Sequence, residues 1–246
     1  AVSNQPQDVT LCAGSSNTFS VSATGSGITY QWQLSTAGCA GPWNNIATAT
    51  SSSYTLTGIT AGQNNTAYRC IVTGTCSPAA TSNCALLTVV TSVTVTTQPA
   101  SQTICEGSGV SFNVAGSGTG IIYQWQLSTD GGVTYTNISG ATAATYTVAA
   151  VTTAMNNYRY RCQLSNASCT TPGTSNPAIL AVNALTAISA QPQNSTVCIG
   201  SSASFCVTAT GTNLTYQWES AAACGGTYSN VVGATSSCLN IGVVTG

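Results

Sequence analysis

The motif Tyr-Gln-Trp occurs three times, beginning at Tyr30, Tyr123 and Tyr216, each copy 93 residues after the last (123−30 and 216−123). Gln5-Pro6, Gln98-Pro99 and Gln191-Pro192 keep that interval, as do Cys12, Cys105 and Cys198. A fixed period makes each period one structural unit and the chain an array. A 93-residue unit is too long for a solenoid turn and large enough for a small domain with its own core. The predicted units are 1–92, 93–185 and 186–246, the last incomplete.

Within a unit the apolar residues alternate with period two, as in a half-buried strand. Val110, Phe112 and Val114 share one face, and Tyr30, Trp32 and Leu34 share another. Further short strands are predicted at Tyr54 to Leu56, Tyr68 to Thr73 and Ala85 to Val89, separated by Gly, Ser and Asn clusters. Threonine suits the solvent face of a pleated strand. No segment carries a helical stripe. Six to eight short strands, a central Trp and a later Tyr-x-Cys are the signature of an all-β, immunoglobulin-like sandwich. Trp32, Trp125 and Trp218 are predicted core residues on strand C. Tyr68-Arg69-Cys70 and Tyr160-Arg161-Cys162 open strand F, with Tyr68 and Tyr160 as tyrosine corners. The strand-B position that carries the partner cysteine in immunoglobulin domains is Val21, Val114 or Val207, so the usual B–F bridge cannot form.

Composition removes several classes of function. The chain has 3 Lys+Arg, 4 Asp+Glu and no His. General acid–base catalysis draws on His, Lys or a perturbed carboxylate pair. Only Asp8, Glu106, Asp130 and Glu219 remain, scattered over three units. No catalytic residue, cofactor site or metal site is predicted, and the chain reads as a non-enzyme. Nucleic-acid binding needs Lys and Arg against phosphate, and no apolar run is long enough for membrane insertion. Twelve cysteines without a CxxC pair or a histidine argue for disulfides in an oxidising space over zinc. Ala1, just ahead of the Gln-Pro motif, reads as a mature or trimmed N-terminus.

The run from Thr-x-Cys-x-Gly-Ser (Thr-Val-Cys in the third unit) through Tyr-Gln-Trp-Gln and Tyr-Arg-Cys to Thr-Ser-Asn-x-Ala-x-Leu-x-Val spans every complete unit. It resembles the Ig-like repeats of very large secreted surface proteins of Bacteroidetes-type bacteria, gliding adhesins included. The resemblance implies a bacterial cell-surface adhesin or structural stalk exported by the type IX route, with no catalytic residues. The junctions Val90 to Thr97 and Val182 to Ala190 lack Gly and Pro, which predicts a stiff succession of units.

The cysteines allow several pairings. Cys12–Cys70 and Cys105–Cys162 are the first choice, each closing about 58 residues for roughly 4 kcal/mol. Cys76 and Cys84 flank a hairpin tip, and Cys206 and Cys238 face outward on the neighbouring strands B and E. Cys39 has two readings. An interdomain bond to Cys169 would lock the first junction; a bond to Cys84 fits the joint replacement of both by Gly132 and Pro177.

One aromatic per repeat, Trp43, Tyr135 and Tyr228, is a candidate glycan contact or a packed edge residue. Arg69 and Arg161 are expected to hydrogen-bond the glutamines at 31 and 33 and at 124 and 126 across the sheet. The third unit lacks strands F and G, so either the array continues or a neighbouring chain supplies strands, as in donor-strand fibres. Near-zero net charge favours self-association or contact with neighbouring repeats. The reading is an extracellular structural or adhesive array, an adhesin stalk or filament subunit with a passive mechanical role. The alternative is a polysaccharide-binding module of a secreted multidomain enzyme.

Overall fold

The computed structural model describes residues 1–245, and Gly246 lies outside them. The first repeat contributes β1 (Val2–Asn4), β2 (Val9–Cys12), β3 (Asn17–Ser20), β4 (Ser22–Ala23), β5 (Thr29–Ser35), β6 (Asn44–Asn45), β7 (Ser53–Leu56), β8 (Thr66–Thr73), β9 (Ala80–Thr81) and β10 (Ala85–Val90). The second supplies β11 (Thr94–Thr97), β12 (Gln102–Cys105), β13 (Val110–Asn113), β14 (Ala115–Ser117), β15 (Ile122–Ser128), β16 (Thr136–Asn137), β17 (Thr145–Val148), β18 (Arg159–Ser165), β19 (Gly173–Thr174) and β20 (Ala178–Asn183). The third holds β21 (Ala187–Ala190), β22 (Ala203–Cys206), β23 (Thr208–Thr210), β24 (Glu219–Ser220), β25 (Ser229–Asn230) and β26 (Cys238–Ile241). Among the described residues the only helical pieces are three single 3-10 turns.

One sheet of the first repeat runs β2-β10-β8-β5-β6, with β9 continuing beside β8. The ladders β3–β7 and β1–β4 form the opposite layer. β2 is parallel to β10, and the other ladders are antiparallel. The Gln-Pro motif makes this switch of sheets. Pro6 has no amide to continue the β1 ladder, and the Gln5 carbonyl oxygen Oε1 accepts from Asn83 N at 2.8 Å, just ahead of β10. Gln98 does the same for Asn176 N at 2.8 Å.

Between the layers lies an aromatic core built twice over. Trp32 and Trp125 are fully buried, and their indole N–H groups donate to Ser51 O and Ala143 O at 3.0 and 2.9 Å. Phe19 stacks on Tyr68 with ring centroids 4.9 Å apart, as Phe112 does on Tyr160 at 4.7 Å. Tyr68 and Tyr160 are therefore interior rings, and Tyr68 Oη accepts from Thr66 Oγ1 at 3.3 Å, a side-chain partner in place of a backbone corner. Val21 and Val114 stand buried where a strand-B cysteine would be, leaving Cys70 and Cys162 as buried free thiols.

The third repeat forms only the two-stranded ladders β21–β23, β22–β26 and β24–β25. Trp218 keeps its indole bond, to Ser236 O at 2.9 Å, but is half-buried. The expectation of a core tryptophan there is corrected: the strand that flanks Trp32 and Trp125 within their own sheet is β8 or β18, with no counterpart among the described residues.

Candidate functional site

Only residues 91–93 separate β10 from β11. Val93 is 4% exposed and belongs to the second repeat's core, so the link is packed into the unit it leads to. The backbone amide of Thr91 donates to Thr119 Oγ1 at 3.3 Å, and Asn166 Nδ2 donates to Thr91 O at 2.9 Å. Asn166 Oδ1 also accepts from Cys169 N at 2.7 Å, which fixes the loop after β18 against the link. Cys169 then bonds Cys12, with Cα atoms 5.1 Å apart across 157 residues of sequence. The second junction repeats the polar part, with Ala184 N donating to Thr212 Oγ1 at 2.8 Å.

This geometry replaces the first-choice pairings. In the parallel β2–β10 register Cys12 lies beside Val90, at the end of the unit next to the following repeat. Cys70 pairs in register with Trp32 and faces the core instead, so a Cys12–Cys70 bond has no route. Cys162 pairs likewise with Trp125, while Cys105 is exposed, and neither is bonded. Cys84 bonds Cys39, with Cα atoms 5.7 Å apart, so Cys76 is left exposed and free rather than bridging to Cys84. The junction bond uses Cys169, as one reading held, but with Cys12 in place of Cys39. Cys206 and Cys238 are directly opposite one another on β22 and β26 and are bonded.

A second repeated arrangement covers the outer face of β5 and β15. The Arg69 guanidinium lies 4.3 Å from the Trp43 ring centroid, and that of Arg161 lies 3.7 Å from Tyr135. Each arginine Nε donates at 2.8 Å to Gln33 or Gln126, whose amide nitrogen in turn donates at 2.8 Å to Asn45 or Asn137. Gln31 and Gln124 are not part of it. Their side chains turn to the carbonyls of Ile46 and Ile138. Arg69 and Arg161 are each tied to a ring and an amide, so one face of Trp43 and of Tyr135 is occupied by a neighbour. Tyr228 is exposed and has no arginine equivalent.

Three of the four carboxylates are employed in the same structural way. Asp8 Oδ1 accepts from Leu86 N at 2.7 Å, and Glu106 Oε1 from Thr153 N at 3.3 Å. Asp130 takes the Thr134 hydroxyl and amide and the Ser128 hydroxyl, which hold its carboxyl well below the usual range. Burial pushes the Cys162 thiol up to about 11 and raises that of Cys70. A thiol in that state is inert near neutral pH. Among the described residues no group of three or more His, Cys, Asp or Glu is placed to hold a metal, and no helix is long and apolar enough to cross a membrane.

Sequence reasoning missed Asn166, Thr91 and Thr119. Asn166 opens the Asn-Ala-Ser sequence ahead of Cys169, and its side chain organises the junction. The available signal was positional: Asn166 lies three residues before Cys169 in the loop that meets the preceding unit.

Comparison with solved structures places the fold. The chain is similar to titin domains I67-I69 in an E-to-A mutated variant, with TM-score 0.72 and 16% identity over 99% of this chain and 88% of that one. It matches a second I67-I69 fragment of titin at TM-score 0.70 and 17% identity, again over 99% and 88%. A structure of Dpr2 Ig1-Ig2 in complex with DIP-Theta Ig1-Ig3 aligns at TM-score 0.53 and 14% identity, over 99% and 90%. No curated protein matches the sequence. Residues 3–91 and 94–184 each match a family model described as a domain of unknown function, DUF8696.

Proposed function

The chain belongs to the DUF8696 family, two successive domains of which fill residues 3–184 almost without a gap, and on that premise we propose that it is an extracellular structural array of the adhesin-stalk or filament-subunit kind. The observation that carries this reading is the Cys12–Cys169 bond. Tension applied between the two ends of the chain enters through β1 and β2, crosses from Cys12 to Cys169, and leaves through β20. Everything from residue 13 to residue 168 stands outside the covalent load path. Such a shunt serves a protein that is pulled upon.

Three disulfides support a location outside the reducing cytosol. The commitment of Arg69 and Arg161 to ring faces, and of Asp8, Glu106 and Asp130 to hydrogen bonds within their own repeats, favours a passive role over catalysis. The same occupation of Trp43 and Tyr135 weighs against a polysaccharide-binding module.

Single-molecule pulling tests the reading. With the bond intact, extension is confined to residues outside the bridged segment. Reduction adds about 520–560 Å of contour length, at 3.3–3.6 Å per residue over 157 residues. A chain that lengthens equally with and without reductant refutes the load-bearing role.

A further inference from the structure

In each complete repeat one strand, β7 or β17, is paired on a single side, with β3 or β13. The chain that leads into it is short, residues 46–52 or 138–144. In the second repeat that connection is spent on Trp125, whose amide donates to Ala141 O and whose indole donates to Ala143 O, both at 2.9 Å. No segment is left to lie along the outer side of the strand. Both strands sit inside complete units, so the open side belongs to the topology of the unit itself.

The register says which backbone groups face outward. Val114 N donates to Ala144 O at 3.0 Å, in step with the pairs of the β13–β17 ladder. Alternate pairs of an antiparallel ladder exchange backbone bonds, so Phe112–Tyr146 and Val110–Val148 are the bonded ones. The amides and carbonyls of Thr145 and Thr147 therefore turn away from β13. Ser53 and Thr55 stand likewise on β7, where Val21 N donates to Ser52 O at 2.9 Å.

Open edges in soluble proteins are blunted by bulges, proline, charge or brevity. In the second repeat β11 has a register shift between Val95 and Thr97, and Pro99 follows it. β12 ends against Glu106, and β16 is two residues long. β17 has no such device: its ladder is regular, and residues 131–158 contain no Lys, Arg, Asp, Glu or Pro. Its inward side chains are also incompletely covered. Tyr146 packs 6.0 Å from Trp125 and 5.7 Å from Tyr160 between centroids, yet it and Val148 are only half-buried. On β7 the residue matching Val148 is Leu56, which is buried.

We propose that β17 pairs antiparallel with β17 of a second copy of this chain, about a two-fold axis at Tyr146. In that register Thr145 of each copy exchanges both backbone bonds with Thr147 of the other, four bonds in all. The strand is its own complement: every outward amide meets an outward carbonyl, and no charge opposes the approach. That self-match is why the partner is the same chain. Net charge is −1 over 246 residues, so long-range repulsion is absent too. The two ladders merge into one four-stranded sheet, beyond the size at which an isolated hairpin is marginal. The Tyr146 side chains face one another across the axis as a directly opposed aromatic pair. Association of this kind is lateral, one array beside another, and goes beyond the load path through Cys12–Cys169 without depending on it.

The native chain is first alkylated with iodoacetamide, so that the exposed thiols of Cys76, Cys105, Cys198 and Cys224 cannot cross-link. Sedimentation velocity from micromolar to millimolar protein then reads the oligomeric state, and hydrogen exchange reads the amides. The expected result is a concentration-dependent dimer, insensitive to salt, in which the Thr145 and Thr147 amides exchange about tenfold more slowly than in the monomer. Thr147→Pro removes an outward donor while sparing the bonds to β13, and Thr147→Lys puts a charge on the edge. Each should leave a monomer, while Thr55→Lys on β7 should leave the dimer intact. Should Thr147→Pro unfold the second repeat, Thr147→Lys alone decides. A monomer at every concentration, a dimer that survives Thr147→Lys, or a dimer lost through Thr55→Lys overturns the proposal. So does a dimer whose slowed amides lie away from β17.

Discussion

Trp125 shows how much one side chain can hold. It is fully buried, hydrogen-bonded to Ala143 O and packed against Phe112 at 6.5 Å between centroids. Trp125→Ala should cost the second repeat about 3–5 kcal/mol, read as a lowered urea midpoint. The half-buried Trp218 should cost less than half of that on the same substitution. Cys162 makes a pH prediction. Its thiol is raised from an ordinary 9.0 to about 11, so folding disfavours the thiolate. The stabilisation is full below pH 9 and is lost as pH climbs through 11, so alkaline titration should destabilise the second repeat in that window. Cys162→Ala should flatten the dependence there. Iodoacetamide at pH 8 should label Cys76 and Cys105 and spare Cys162. The inward parity of these residues is readable from alternation alone. The covering of Gln33 and Gln126 is not, because it depends on an arginine and an aromatic ring brought from other strands.

Among elements, the clamp from Cys39 to Cys84 ties the turn after β5 to the start of β10. Closing 45 residues stabilises by about 4 kcal/mol on the chain-entropy argument. Replacing both cysteines by serine should lower the first repeat's unfolding midpoint by that amount, followed by chemical denaturation. The second repeat, with Gly132 and Pro177 in their place, should be unaffected. The junction has its own sensitive position. Gly118 has φ of 130°, and a Cβ there meets backbone on the link at 2.9 Å. Gly118→Ala should therefore loosen the joint, seen as faster hydrogen exchange at Thr91 and Val93 without loss of either core. Strand order was legible because each strand alternates and each turn is marked by Gly or Asn. The partner of Cys12 was not, because β2 changes sheets at Pro6 and runs parallel to β10, which delivers Cys12 to the far end of its unit.

For the whole molecule, every arginine lies between Cys12 and Cys169, and lysine is absent. Arg69, Arg159 and Arg161 all sit in strands β8 and β18. Trypsin should leave the native chain uncut. After partial unfolding, cleavage should show on reducing gels only, since the bridge holds the fragments together. The array itself was plain from the 93-residue period, whereas the bond between units leaves no periodic trace inside either one. That bond also sets a problem of timing. A ribosome releases Cys12 long before Cys169, and Cys39, Cys70, Cys76, Cys84, Cys105 and Cys162 all appear in the interval. Closure of the first sandwich hides Cys70 in its interior before Cys169 is made, which withdraws one wrong suitor early, and Cys162 is withdrawn as the second sandwich closes around it. Fidelity of the bridge is thus inherited from the order in which the cores close.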